Sequence, residues 1–170
     1  MPSKYVTAAA RRKVKTLSAL RAIVRRAQSR RKRVVFTNGC YDLLHPGHVM
    51  LLERAKRSGD LLILALNSDR SVRTLHKGPD RPLVTDKDRA TVLAGLESVD
   101  YITIFDESTP ARVIDALQPD VLVKGADWSQ SKIVGGTTVK RSGGRVLRIP
   151  LRKGYSTTAL IERIRSRSHT

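Results

Sequence analysis

Residues 34–67 read VVFTNGCYDLLHPGHVMLLERAKRSGDLLILALN. The opening run is short, β-branched and bounded by Gly39, which predicts a strand. From Gly47 to Asp60 the pattern changes: Val49, Leu51, Leu52 and Ala55 recur at helical spacing, and Gly59 supplies the C-terminal stop. The next run, LLILAL, is apolar throughout, as in a strand buried on both faces. Strand, helix, strand is a βαβ unit, and a βαβ unit implies a parallel sheet.

The pattern continues downstream. After the Gly- and Pro-rich segment KGPDRP, residues 85–100 predict a helix capped by Thr85 or Asp86, with Val92, Leu93 and Leu96 on its apolar face. YITIF (101–105) reads as a third strand, and VLVKG (121–125) and RVLRIP (145–150) as a fourth and a fifth. Between the third and fourth lies a helix with Thr109 as N-cap, Pro110 at its first position and Pro119 just past its end. A weaker helix over 132–141 carries Gly135-Gly136. A last helix starts after Ser156. Upstream, Leu17, Leu20, Ile23 and Val24 have helical spacing. The expected fold is α/β: a Rossmann-like, doubly wound parallel five-stranded sheet with an extra N-terminal helix. Residues 1–16 are expected to form a basic, mobile N-terminal arm, and residues 17–170 the domain.

Composition narrows the function. The chain has 170 residues, enough for one domain with a proper core. Its apolar runs are too short to cross a membrane, no secretory leader is expected, and its single cysteine, Cys40, excludes an internal disulfide. A cytoplasmic setting is expected. The net charge of +18 is unevenly spread: residues 1–33 hold twelve Lys or Arg and no acid, leaving about +6 over the rest. An Arg-rich arm can bind nucleic acid through phosphates. With only seven aromatics and no base-stacking motif, that reading is disfavoured against a basic protein with anionic substrates.

Open α/β sheets bind ligands beyond the carboxyl ends of their strands. TNGCYD leaves the first strand there, and HPGH opens the next helix. Backbone amides of Thr37, Asn38, Gly39 and Cys40, the positive end of the helix, and His45 and His48 would suit a phosphate that gains charge during reaction. Neither a P-loop nor a G-x-G-x-x-G motif is present. A structural metal on the histidine pair is disfavoured, because the only other histidines are His76 and His169; no metal ligand is assigned.

The motif NGCYDLLHPGH resembles the H-x-G-H signature of the nucleotidylyltransferase superfamily, and GYSTTALIERI resembles its second, Ser/Thr-rich signature. The series NGCYDLLHPGH, NSD, KGPDRP, ALESVDYI, PDVLVKGADW, GYSTT is most similar to the ADP-heptose branch. That branch is the D-glycero-β-D-manno-heptose 1-phosphate adenylyltransferases, either free-standing or as the C-terminal half of a bifunctional heptose kinase/adenylyltransferase. The similarity spans residues 17–166.

The resemblance implies an enzyme that transfers the adenylyl group of ATP, with Mg2+, to a sugar 1-phosphate, releasing pyrophosphate. The pathway is ADP-heptose and lipopolysaccharide biosynthesis, and the expected assembly is a homodimer. His45, His48 and Lys77 would be catalytic; for His48 a helix cap and for Lys77 a solvated loop residue are the plain alternatives. Thr37 through Cys40, Lys124, Gly125, Asp127, Ser156 and Thr157 would bind nucleotide. Cys40 itself is a small buried filler, and Ser156 also an N-cap. Asp42, Arg81 and Arg89 would bind the sugar phosphate, although Asp42 can instead hold its turn and Arg89 pair with Asp86 or Asp88 on the helix surface. The branch more often reads Lys-Gly-Gly-Asp-Tyr where this chain has KGADW. Ala126 and Trp128 therefore keep open a cytidylyltransferase acting on a polyol phosphate such as glycerol 3-phosphate, beside the nucleic-acid-binding alternative.

Overall fold

The computed structural model describes residues 7–76, 78, 80–151 and 154–167. Five strands form one all-parallel sheet: β1 (Val34–Gly39), β2 (Leu61–Asn67), β3 (Tyr101–Phe105), β4 (Val121–Gly125) and β5 (Arg145–Ile149), in the order β3-β2-β1-β4-β5. Strand order reverses beside β1, so the switch point lies between β1 and β4.

Period-two alternation builds two cores from the same strands. Val35, Leu62, Leu64, Leu66, Ile102, Val121 and Val123 face one side. There they meet α1 (Ala8–Lys13), α3 (Pro46–Lys56) and α5 (Asp86–Ala94) through Ala10, Leu52, Ala55, Ala90 and Leu93. Val34, Phe36, Ile63, Ala65 and Leu122 face the other. They meet α2 (Leu17–Ser29), α6 (Ala111–Leu117) and α7 (Gly136–Arg141) through Leu20, Val24, Val113, Ile114 and Val139. The extra N-terminal helix is α2, capped by the Thr16 hydroxyl. A further helix, α4 (Asp69–Thr74), follows β2, and α8 (Thr157–Arg167) closes the described chain.

Register is fixed at the amino ends of the strands by aspartates. Asp60 Oδ2 accepts from Arg33 N, Asp100 Oδ2 from Leu62 N and Asp120 Oδ2 from Val34 N, each at 2.7 Å. A carboxylate thus precedes each of β2, β3 and β4 and satisfies an amide of a neighbouring chain segment that would otherwise lack a partner.

Four expectations need correction. The arm expected over 1–16 is folded from Thr7 onward: Thr7 caps α1, Ala10 is buried against the sheet, and Val14 forms a parallel bridge with Ile102 at the β3 edge. Alanine-rich composition had hidden this, because a short helix with one buried face has little apolar periodicity. Val92 is 52% exposed; α5 turns Arg89, Ala90, Leu93 and Ala94 inward instead. The N-cap of α6 is Pro110 rather than Thr109, with no side-chain cap. The helix expected over 132–141 divides into a 3-10 turn (Gln130–Lys132) and α7, separated by Gly135 at φ +80°.

Deleting residues 1–14 removes Ala10 from the core and uncovers the sheet residues it packs on, and it removes the strand-like pairing at the β3 edge. The expected loss is about 2 kcal/mol, a fall of about 4–8 °C in Tm by calorimetry. An unchanged Tm would restore the mobile-arm reading.

Candidate active site

The β1–β2 ladder continues to Gly39↔Leu66, but β1–β4 pairing is confined to Val35↔Val121 and Phe36↔Leu122. Beyond that point β1 and β4 part, and side chains span the gap. Thr37 Oγ1 donates to Val123 O at 3.1 Å, and Lys124 Nζ donates to Asn38 O at 3.2 Å. The crevice so opened leads to a cavity of about 540 Å³.

Four chain segments line this cavity. From the first come Thr37, Asn38, Gly39, Cys40, His45 and His48; from the second Arg81; from the third Lys124, Gly125 and Asp127; from the fourth Ser156 and Thr157. His45 is the N-cap of α3, in extended conformation, and Pro46 occupies the first turn. This start sets the two imidazoles face to face, 3.8 Å between centroids and 17° between planes. Burial pushes the His45 imidazole below its ordinary range, so it is neutral at neutral pH. Its Nδ1 and the Asn38 Oδ1 are buried and lack a hydrogen-bond partner among the described residues. Two buried polar atoms without partners, on one cavity wall, are what a polar ligand would satisfy.

Side chains approach Gly125 closely: a Cβ there would lie 2.3 Å from Asp127 Oδ1 and 3.0 Å from Leu151 Cδ1, so any larger residue would have to displace these side-chain ends. Lys124 Nζ stands 5.6 Å from the centroid of the Trp128 ring, within cation–π range. Ser156 Oγ accepts from Ala159 N at 3.0 Å, so it caps α8 while facing the cavity. Cys40 is buried, as expected of a filler.

Several lining residues were not expected at the site: Tyr41, Leu51 (read only as part of a helix's apolar face), Leu151, Tyr155 and Thr158. Tyr41 is the most consequential. It adopts φ +47°, and its ring lies so close over Gly39 that a Cβ there would sit 2.9 Å from Cε2. Its ring centroid is 4.9 Å from that of His48. Burial pushes the phenol far above its ordinary range, so it remains neutral. A left-handed tyrosine leaves no trace in composition or periodicity, so only the tight TNGCYD turn hinted at it.

Two expected sugar-phosphate ligands turn out to be architectural. Asp42 is 3% exposed and accepts from Leu83 N at 2.8 Å and Val84 N at 3.0 Å, and it pairs with the Arg81 guanidinium. It holds the 81–84 loop and does not face the cavity. Arg89 is 2% exposed. It donates to Val84 O at 2.8 Å, Cys40 O at 2.5 Å, Asn67 O at 2.9 Å and Asp69 Oδ1 at 2.7 Å. Its carboxylate partner is thus Asp69. Asp86 accepts from Asp69 N, and Asp88 from the Thr85 hydroxyl. Arg81 lines the cavity while tied to Asp42. Lys77 lies outside the described residues.

Replacing Arg89 by methionine leaves three carbonyls and one carboxylate without their donor, and is expected to cost about 3–5 kcal/mol of folding stability. Denaturant unfolding measures this. A stable variant with a raised KM alone would return Arg89 to the substrate-clamp role.

The cytidylyltransferase-like family model matches residues 36–163. The protein named bifunctional protein HldE of Geotalea uraniireducens is 53% identical over 92% of this chain and 32% of its own length. Its namesake in Syntrophotalea carbinolica is 52% identical over 91% of this chain and 31% of its own length. The chain therefore spans about a third of the length of these curated relatives. Among solved structures, the lipopolysaccharide core biosynthesis protein of Thermoplasma volcanium superposes with a TM-score of 0.62 at 22% identity, over 72% of this chain and 99% of that one. Pantoate-β-alanine ligase of Francisella tularensis gives 0.59 at 15% identity, over 83% and 67%. At these identities the two structures speak to the fold alone. A parallel sheet that opens beside its first strand onto HPGH, together with a family match across residues 36–163, places the chain in the cytidylyltransferase-like family.

Proposed function

We propose that this protein transfers the adenylyl group of ATP to a sugar 1-phosphate, D-glycero-β-D-manno-heptose 1-phosphate, forming ADP-heptose for lipopolysaccharide synthesis. The observation that carries the reading is the stacked imidazole pair at the start of α3, on the wall of the β1–β4 crevice. The motif series and the 53% identity to a bifunctional protein HldE support the choice of acceptor.

In this reading a phosphate oxygen of the sugar 1-phosphate attacks the α-phosphorus. The bond from that phosphorus to the α,β-bridging oxygen breaks, and pyrophosphate leaves with the electron pair. The protein aligns two anions and balances charge building on the phosphoryl oxygens. His45 and His48 donate to those oxygens. The amides of Thr37 through Cys40 approach the α-phosphate, and Ser156 and Thr157, at the positive end of α8, hold the departing phosphates. Lys124, Gly125 and Asp127 receive base and ribose. Lys77 remains a candidate for the triphosphate.

Among the described residues no three His, Cys, Asp or Glu cluster closely enough to hold a metal. Triphosphate chemistry implies magnesium as part of the substrate, bound mainly by phosphates and water, where it neutralises charge. A homodimer and a cytoplasmic setting belong to the same reading. Val92 and Ile164, 52% and 60% exposed, are apolar side chains that a subunit contact would cover. No helix among the described residues is long and apolar enough to cross a membrane.

Pyrophosphate release should be fastest with ATP and heptose 1-phosphate in a panel that includes CTP and glycerol 3-phosphate. His48→Ala should lower turnover at least about a hundredfold. Preference for CTP, or wild-type turnover in the variant, refutes the reading.

The lowered His45 pKa yields a second expectation. Free enzyme holds this imidazole neutral; a bound triphosphate favours the imidazolium and raises its pKa. The complex then binds more protons than the free site, so MgATP affinity should strengthen as pH falls from about 8 to about 6. Calorimetry in buffers of different ionisation enthalpy should register proton uptake in the wild type and its loss in His45→Asn.

A further inference from the structure

At the opposite end of the sheet, where β1, β4 and β5 begin, lies a second cavity, of about 380 Å³. Arg31, Lys32, Arg33 and Arg145 line it, with Asp120 the one carboxylate among the described lining residues. That carboxylate is already engaged, accepting from Val34 N at 2.7 Å and Gln28 Nε2 at 3.4 Å. None of the four cationic side chains forms an ion pair among the described residues. One end of β1 is roughly 20 Å from the other, so the cavity is distinct from the β1–β4 crevice.

The floor is rigid. Arg145 N donates to Asp120 O at 2.9 Å, and Asp120 N to Val34 O at 3.0 Å. The rim is built at a conformational cost. Arg31 N donates to Gln28 O and Lys32 N to Ala27 O, which closes α2 in a Schellman motif with Arg31 at the left-handed position, φ +58°. Glycine is the favoured residue there. A helix C-terminus attracts cations, which accounts for Arg31 and Lys32 as helix-end charges. It does not account for Arg33, at the foot of β1, or for Arg145, the first residue of β5.

We propose that this cavity binds a small polyphosphate anion, one bearing at least two phosphate groups. Guanidinium groups pair phosphate oxygens in a fork, and four cations against one engaged carboxylate leave an excess that one phosphate group would not balance. The site is concave, and none of its described lining residues is aromatic. Both features favour a compact anion over a nucleic-acid strand, which needs a continuous groove with stacking platforms. The inference is independent of the adenylyl-transfer reading.

Inorganic pyrophosphate is the probe, added to the full chain without ATP and followed by amide NMR. The Gly143 backbone and Gln28 side-chain amides report this cavity; Gly39 and Gly125 report the opposite crevice and are read separately. The expected result is saturable movement of the Gly143 and Gln28 signals. Arg31→Gly combined with Arg145→Gln should weaken that binding at least about tenfold. Arg31→Gly alone should weaken it less and raise Tm, since glycine accepts the left-handed backbone freely; lost binding is thereby separated from lost folding. Three results overturn the proposal: signals that stay still, signals that respond equally to chloride at matched ionic strength, or a short oligonucleotide that binds these residues more tightly than pyrophosphate.

Discussion

The parting of β1 from β4 after Phe36 and Leu122 is the constraint on which the rest of the molecule turns. A parallel ladder satisfies backbone groups on both strands, so ending it early leaves polar atoms that need other partners. Thr37 and Lys124 supply some of them from side chains. What is left forms the wall of the crevice. The glycine at 125 and the left-handed tyrosine at 41 follow from the same geometry, because both bring main chain or ring close to the opened space.

Charge in this protein is divided between architecture and chemistry. Arg89 and Asp42 are buried and fully committed: one gathers carbonyls from the ends of β1 and β2 and from the loop before α5, and the other fixes that loop from the β1 side. Together they hold the strand ends that carry the crevice. Buried ions of this kind add little net stability, but losing one partner strands the other. The cations left over are spread across the surface, and a share of them collects at the feet of β1 and β5.

The sheet was legible because parallel strands announce themselves as apolar runs separated by helical spacing; all five strand assignments match within a residue or two. The crevice was legible because HPGH falls where a helix must begin after the first strand. Other features were not. Arg89 resembled a surface residue because a DKDR sequence offers acids nearby, yet its true partner, Asp69, lies twenty positions upstream and meets it only in the folded state. Tyr41 was missed because positive φ at a non-glycine has no sequence signature. The aspartates before β2, β3 and β4 recur in plain view, but their purpose depends on which strands are neighbours.

One feature of α8 reaches beyond its contacts. Its first residues face the cavity, but the helix contains no buried residue, and its ion pair from Arg165 to Asp80 is solvent-exposed. Exposed pairs contribute little, so α8 belongs to the least stable part of the fold. If Ser156 and Thr157 hold phosphate as proposed, whatever fraction of molecules has this helix frayed loses that grip, and apparent affinity falls in proportion. On the adenylyl-transfer reading, an occupied pocket would supply α8 with the contacts its own packing lacks, and a change on its outward face could alter substrate affinity without touching the substrate.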